Sequence, residues 1–287
     1  MILSTHGIVG SQIQSFVGLL DTYPNAAAAY SLRKLRTAYT GNAIRVRRTD
    51  LAESDIGFTS AGNLDTTALL AFTGTGALDN GFVTTWYDQS GNSRNATQTT
   101  ALSQPQIVSA GSVLTLNSKA RVNFNSKVLT YTGFGSANFT IVSVIKQIST
   151  SNYSSYLQNV DSTFNGFKLL SQQPSSFENT FLRYTGQSET ATNSRAKSGT
   201  SISNAQYLEN WIFPNNPALL YENNVSQTVT SSVQTGWGAG NSSFGSLTYQ
   251  AAAGGQFDIQ ELIVYTTNES SNINGINTNV NTYYAIY

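Results

Sequence analysis

The sequence predicts a mainly β protein, an antiparallel β-sandwich with short helices near its two ends. Three observations carry this. Short apolar or alternating runs recur along the chain, separated by Gly, Asn, Ser and Pro clusters. Helical spacing of apolar residues is confined to the two terminal regions. Aromatic residues reach 11% while charged residues are only 10%, a balance that supplies a core and argues against disorder.

The elements follow in chain order. Residues 1–20 carry no charge, and Val9, Ile13, Phe16, Val17 and Leu20 recur at helical spacing. A free helix of this length is marginal in water, so the stripe must pack on something. Two accounts fit: it lies on its own domain, or it is an anchor and oligomerisation contact. Asp21 to Arg36 predicts a second short helix, with Asp21 or Thr22 as cap, Pro24 in the first turn and the strong helix formers Ala26 to Ala29 after it. Ala43 to Arg48 alternates apolar and basic residues, as a half-buried strand does. Further strands are expected at Phe82–Trp86, Ala120–Phe124, Val128–Tyr131, Phe139–Lys146, Gly166–Leu170, Gln206–Phe213, Ala218–Tyr221 and Phe257–Tyr265. Asn223-Asn224 tolerates the positive φ of a tight hairpin turn. A closing helix, capped by Asn268 or Ser270, places Ile273, Ile276, Val280 and Tyr284 on one face. The expected organisation is a segment 1–20 followed by one sandwich domain, 21–287.

Composition excludes several functions. Lys+Arg 15 and Asp+Glu 15 cancel, which argues against a nucleic-acid binder. Cys 0 excludes disulfides, a catalytic thiol and Cys-ligated zinc, and a lone histidine, His6, excludes a multi-His metal site. No targeting signal stands out, and no apolar run reaches the roughly 18 residues of a membrane span. No cofactor is expected. Six cationic residues cluster at Arg33, Lys34, Arg36, Arg45, Arg47 and Arg48; pairing with Asp50, Glu53 and Asp55 on a solvated face accounts for them, with a subunit contact as the functional alternative.

One segment is more specific. Trp86-Tyr87-Asp88-Gln89-Ser90-Gly91-Asn92 is followed by Arg94 to Gln98 and preceded by Ala29 to Arg33 and Ala43 to Arg48. Asp88 suits an Asx turn and Gly91 a positive φ. Asp88, Ser90 and Asn92 also offer oxygen ligands to calcium, although a structural corner explains the same residues. This succession, from Ala26 to Phe124, resembles the N-terminal half of the catalytic domain of the fungal α-L-arabinofuranosidase B family. The resemblance implies a concanavalin-like sandwich, or jelly roll. That family's cysteines are absent here, and its nucleophile and acid motifs are not recognisable.

The remainder is similar to laminin-G-like and concanavalin-like lectin domains. Asn138 to Lys146 looks like their central strand, Leu219 to Val225 like their hairpin and Gly255 to Tyr265 like their closing strand. The whole layout is similar to bacteriophage virion proteins of the tail, fibre or head-decoration type. The resemblance implies a protein exposed on the virion surface, or alternatively secreted. Its partners would be other virion proteins and a host-surface glycan or protein, with no nucleic acid and no membrane insertion. It would be a homo-oligomer, a trimer by analogy with fibres. A decoration protein without ligand and an arabinofuranosidase-like hydrolase are the alternatives.

A glycosidase needs two carboxylates at a defined separation. The acids available are Asp88, Asp161, Glu178, Glu189, Glu209, Glu222, Asp258 and Glu261, and local sequence marks no pair. The expectation from sequence is therefore a binder that is not an enzyme. Its candidate ligand contacts are Trp237, set between glycines, with Tyr184, Tyr221 and Trp211.

Overall fold

The computed structural model describes residues 16–133, 139–147, 154–160, 166–172, 178–184, 194–198, 205–213, 218–232, 244–248 and 257–287. The centre of one layer is Phe139–Gln147. It pairs antiparallel with Phe257–Tyr265 on one side and Gln206–Phe213 on the other. Ala26–Ser31 extends the layer beyond Phe257–Tyr265, and Leu219–Glu222 extends it beyond Gln206–Phe213. The facing layer contains Ile44–Arg48, Gly81–Trp86 and Val128–Thr132, continued by the ladder of strands from Ser154–Val160 to Ser194–Ser198. The sandwich read from the strand pattern is the fold observed.

Two cores explain the burial. The larger fills the space between the layers, with Trp86, Tyr30, Phe124, Ile141, Tyr207, Trp211 and Leu262 among its members. The smaller lies on the other side of the central layer, where Val142, Val144, Leu208 and Ile263 meet the closing helix Ile273–Tyr284. The central strands are thus covered on both faces, and Phe257–Tyr265 is buried at every position. Ile273, Ile276, Val280 and Tyr284 form the buried face of the closing helix, as their spacing predicts. Asn272, rather than Asn268 or Ser270, holds the cap position. At the Asn223-Asn224 turn both residues take positive φ, 49° and 63°, and Glu222 pairs with Val225 across it.

The helix expected over Asp21–Arg36 is corrected. A single helical turn covers Leu19–Thr22, and Ala26–Ser31 is a strand. Asn25, at φ 69°, breaks the path between them. Alanine's helix preference is worth at most about 0.7 kcal/mol per residue. Here the strand gains a ladder to Phe257–Tyr265, and Ala28 and Ala29 are wholly buried in opposite cores. Small side chains suit a strand pressed from both faces.

The N-terminal residues that the structure describes lie on the domain itself. Leu19 and Leu20 belong to the smaller core. Phe16 is half-buried, its ring within cation–π range of Lys34, and Val17 is exposed. Val9 and Ile13 lie outside the described residues.

One buried ion pair ties the sheet to the helix. The Arg33 guanidinium donates to both Glu261 oxygens, Nε to Oε2 at 2.7 Å and Nη2 to Oε1 at 2.9 Å. Ser31 Oγ and the Tyr284 hydroxyl donate to the same Oε2, and Arg33 Nη1 donates to Asn279 on the helix. Glu261 is completely buried. Breaking a buried pair strands the partner charge. Glu261→Gln should lower the unfolding free energy by ~3 kcal/mol, and Ser31→Ala by only about 1 kcal/mol, both read from urea denaturation.

Candidate active site

Glu209 and Glu222 sit directly opposite each other on adjacent antiparallel strands. Register-opposed residues have Cβ atoms roughly 4.5–5.5 Å apart. Both carboxylates are buried, at 1% and 5% exposure. Glu209 lies among aromatic residues: Tyr207 and Trp211 flank it on its own strand and face the larger core with it. The Trp211 indole N–H donates to Glu209 Oε1. Oε2 accepts no hydrogen bond among the described residues. Burial pushes the Glu209 carboxyl up to about 8, with the neighbouring Glu222 charge adding to the effect; the Tyr156 hydroxyl and the Trp211 indole oppose it. Burial also raises Tyr156 and Tyr207 well above the ordinary tyrosine range, and the Glu209 charge reinforces both shifts. A carboxyl kept neutral at pH 7 beside a second carboxylate has the protonation state a general acid needs.

The other acids do different work. Asp88 accepts from the backbone N–H groups of Ala29, Ser90 and Arg94 at 2.8, 2.9 and 3.0 Å, and from Ser90 Oγ at 2.7 Å. Four donors occupy its lone pairs, the arrangement of the structural corner that explains Asp88, Ser90 and Asn92 without calcium. The Asn92 Nδ2 group donates to the Ala26 and Ala27 carbonyls. No cluster of three or more metal-ligating side chains occurs among the described residues. Asp258 is bound by Arg121 and Asn123. Glu261 serves the ion pair with Arg33. Glu178 lies in the strand Glu178–Tyr184, and Asp161 and Glu189 fall outside the described residues.

The candidate ligand contacts scatter. Trp211 is buried beside Glu209, its ring stacked on Phe213 at 6.0 Å between centroids. Tyr221 is half-buried on the opposite face, against the smaller core. Tyr184 ends the strand Glu178–Tyr184, and Trp237 lies outside the described residues. The basic cluster also divides. Arg45 pairs with Glu53 and Asp55, and Arg48 with Asp50, on the surface as expected, while Arg33 is buried.

Local sequence offers Glu209 and Glu222 among the acids without pairing them. The available signal was a carboxylate set inside an apolar strand, Tyr207-Leu208-Glu209-Asn210-Trp211-Ile212, where burial of a charge requires a reason. Their opposition follows from a strand register that local sequence does not state.

No protein-family model and no curated protein matches the sequence. Solved structures do. A GH54 α-L-arabinofuranosidase soaked with a cyclic sulfate inhibitor superposes at TM-score 0.60 and 14% identity, over 91% of this chain. An arabinofuranosidase complexed with arabinofuranosyl-α-1,2-xylobiose matches at 0.60 and 15%, over 92%. The chain spans 63% and 64% of the length of these two proteins. The binding domain of Paraclostridial Mosquitocidal Protein 1 matches at 0.50 and 15%, over 69% of this chain and 49% of that one.

At these identities the likeness is one of fold. It agrees with the arabinofuranosidase resemblance read from Ala26 to Phe124 and lends nothing to the laminin-G and virion resemblances. The expectation that the chain is not an enzyme is overturned: nearly its whole length superposes on glycoside hydrolases, and the fold opposes two buried carboxylates that local sequence left unpaired.

A pH dependence follows. Glu209 releases its proton near 4.5 when unfolded and near 8 when folded. Between these values the folded state binds more protons, so this contribution is complete below about pH 4.5 and is lost as pH rises through 8. The loss is on the order of 5 kcal/mol. Urea midpoints should fall from pH 5 to pH 8, and Glu209→Gln should flatten the decline; a midpoint that rises over this range contradicts the assignment. His6 is the one other side chain whose ordinary titration lies in that window.

Proposed function

We propose that this chain engages glycan and that Glu209 and Glu222 are the acid pair of a glycoside hydrolase. The observation that carries the reading is the register-opposed, buried carboxylate pair with Glu209 neutral at pH 7. Glu209 is the general acid, protonating the departing glycosidic oxygen through Oε2 while Trp211 holds Oε1. Glu222, opposite it in the ladder, supplies the second carboxylate that a glycoside hydrolase needs. Burial among aromatic side chains strengthens both effects by excluding water. The likeness to proteins described as α-L-arabinofuranosidases supports arabinofuranosides as the substrate class.

The finer reading carried by the sequence is a bacteriophage virion protein that binds host-surface glycan or protein. Its supports are the low charge content, the polar uncharged composition and the layout of the chain. It includes assembly as a trimer through residues 1–20. Antibodies against the protein should then label intact virions.

Hydrolysis is tested with a panel of aryl glycosides that includes aryl α-L-arabinofuranosides. The wild-type protein should turn over at least one of them. Glu209→Gln and Glu222→Gln should each lower kcat by about 10²- to 10⁴-fold, with circular dichroism spectra unchanged. Retention on a glycan array without turnover removes the hydrolase and leaves the binder. Neither turnover nor retention overturns both.

A further inference from the structure

We infer that a second site, separate from the acid pair, binds the anionic group of an acidic sugar. It is a cleft of about 490 Å³ where the strand Ala26–Ser31 begins, bounded by the Asp88–Arg94 loop and by Thr266 after the central strand Phe257–Tyr265. Two guanidinium groups line it, Arg36 and Arg94, together with the neutral polar side chains of Asn25, Ser90, Asn92 and Thr266. No carboxylate is among its lining residues, and it shares none with the acid pair.

Both arginines are anchored in place. Arg36 Nη1 donates to the Ser90 carbonyl at 2.7 Å, and Arg94 Nη1 donates to the carbonyls of Thr132 and Gly133 at 3.0 and 2.6 Å. Arg36 has no carboxylate within ion-pair distance among the described residues. The two acids in the vicinity are already committed. Asp21 accepts from the backbone N–H groups of Gly18 and Thr37 and from Thr37 Oγ1. Asp88 holds the four donors described above. A second hydrogen-bonding edge of the Arg36 guanidinium therefore remains for an external acceptor.

A planar guanidinium fork matches a carboxylate or a phosphate in two parallel hydrogen bonds. The Asn25 side chain and the Asn92 amide oxygen alongside suit the hydroxyl groups of a sugar rather than a bare ion. A hexuronate combines both features. The glycine at position 91 helps to keep the arrangement open. It takes φ +96°, and a Cβ there would lie 2.8 Å from Arg36 Nη1.

The test is titration of the full chain with D-galacturonate, inorganic phosphate and the neutral sugar L-arabinose, followed by calorimetry at low and high salt. Galacturonate should bind, L-arabinose should not bind at the same concentration, and added salt should weaken the interaction. Arg36→Gln should weaken binding by about tenfold or more. Because Arg36 also holds the Ser90 carbonyl, Asn25→Asp provides an independent variant. It adds a negative charge to the lining, leaves that hydrogen bond intact, and keeps a residue type that accepts the φ of 69° at this position. It should weaken galacturonate by a similar factor. Phosphate binding that is lost in the same two variants supports the cleft as a general oxyanion site. Binding of neither anion, or binding that both variants leave unchanged, overturns the proposal.

Discussion

The fold depends on how one strand, Ala26–Ser31, is held. Its outer ladder goes to Phe257–Tyr265, so it joins the start of the chain to the end. Its other support is the loop Asp88–Asn92. Asp88 accepts from Ala29, Gln89 N–H donates to the Ala29 carbonyl, and Asn92 donates to the carbonyls of Ala26 and Ala27. The buried Gln89 amide donates to the carbonyls of Ser31 and Arg33 and accepts from Leu35 N–H. Nearly every polar atom of the loop is used on one stretch of backbone. The segment that carries the resemblance to arabinofuranosidases is thus a clamp, and its residue types are explained by the backbone groups they satisfy.

That clamp sharpens the contrast among buried carboxylates. Asp88 and Glu261 are surrounded by donors, and Asp258 is held by Arg121 and Asn123. Each is held by donors and serves the scaffold. Glu209 has the Trp211 indole on Oε1, the Tyr156 hydroxyl beside it and a second carboxylate opposite it, with no cation in an ion pair among the described residues. Protonation resolves the conflict, and a protonated acid in an apolar wall is costly to keep for stability alone. Function separates from structure here by hydrogen-bond accounting, since burial is the same for both kinds.

The sandwich was legible because its strands are marked twice, by β-forming residues and by turn residues between them. Phe257–Tyr265 and Gln206–Phe213 need no context to be read, and Asn223-Asn224 states its own turn. Ala26–Ser31 was misread because alanine speaks for helix locally, while the reason for a strand lies over two hundred residues away in Phe257–Tyr265. The carboxylate pair was illegible for the same physical reason. Glu209 and Glu222 are ordinary acids until the register places them face to face, and register is a property of two strands together. The arginine cleft is a third case: Arg36 and Arg94 line one cleft because the Asp88 loop is clamped to the first strand.

The scarcity of charge gives these sites their weight. With charged residues at 10% of the chain, most of the surface is polar but neutral, and few ions exist to dilute a local field. The chain divides them by environment. Arg45 and Arg48 are paired with acids at the surface, where the pairing is worth little. Arg33 and Glu261 are spent inside, where their geometry fixes the helix on the sheet. Two further groupings stand out: Glu209 and Glu222 opposed on adjacent strands, and Arg36 and Arg94 lining one polar cleft. Like charges gathered in pairs raise the energy of the folded chain. A proton on Glu209 relieves the first pair, and the proposed oxyanion would relieve the second. In a chain with so few ions, like-charge pairing of this kind is the feature that separates its sites from its scaffold.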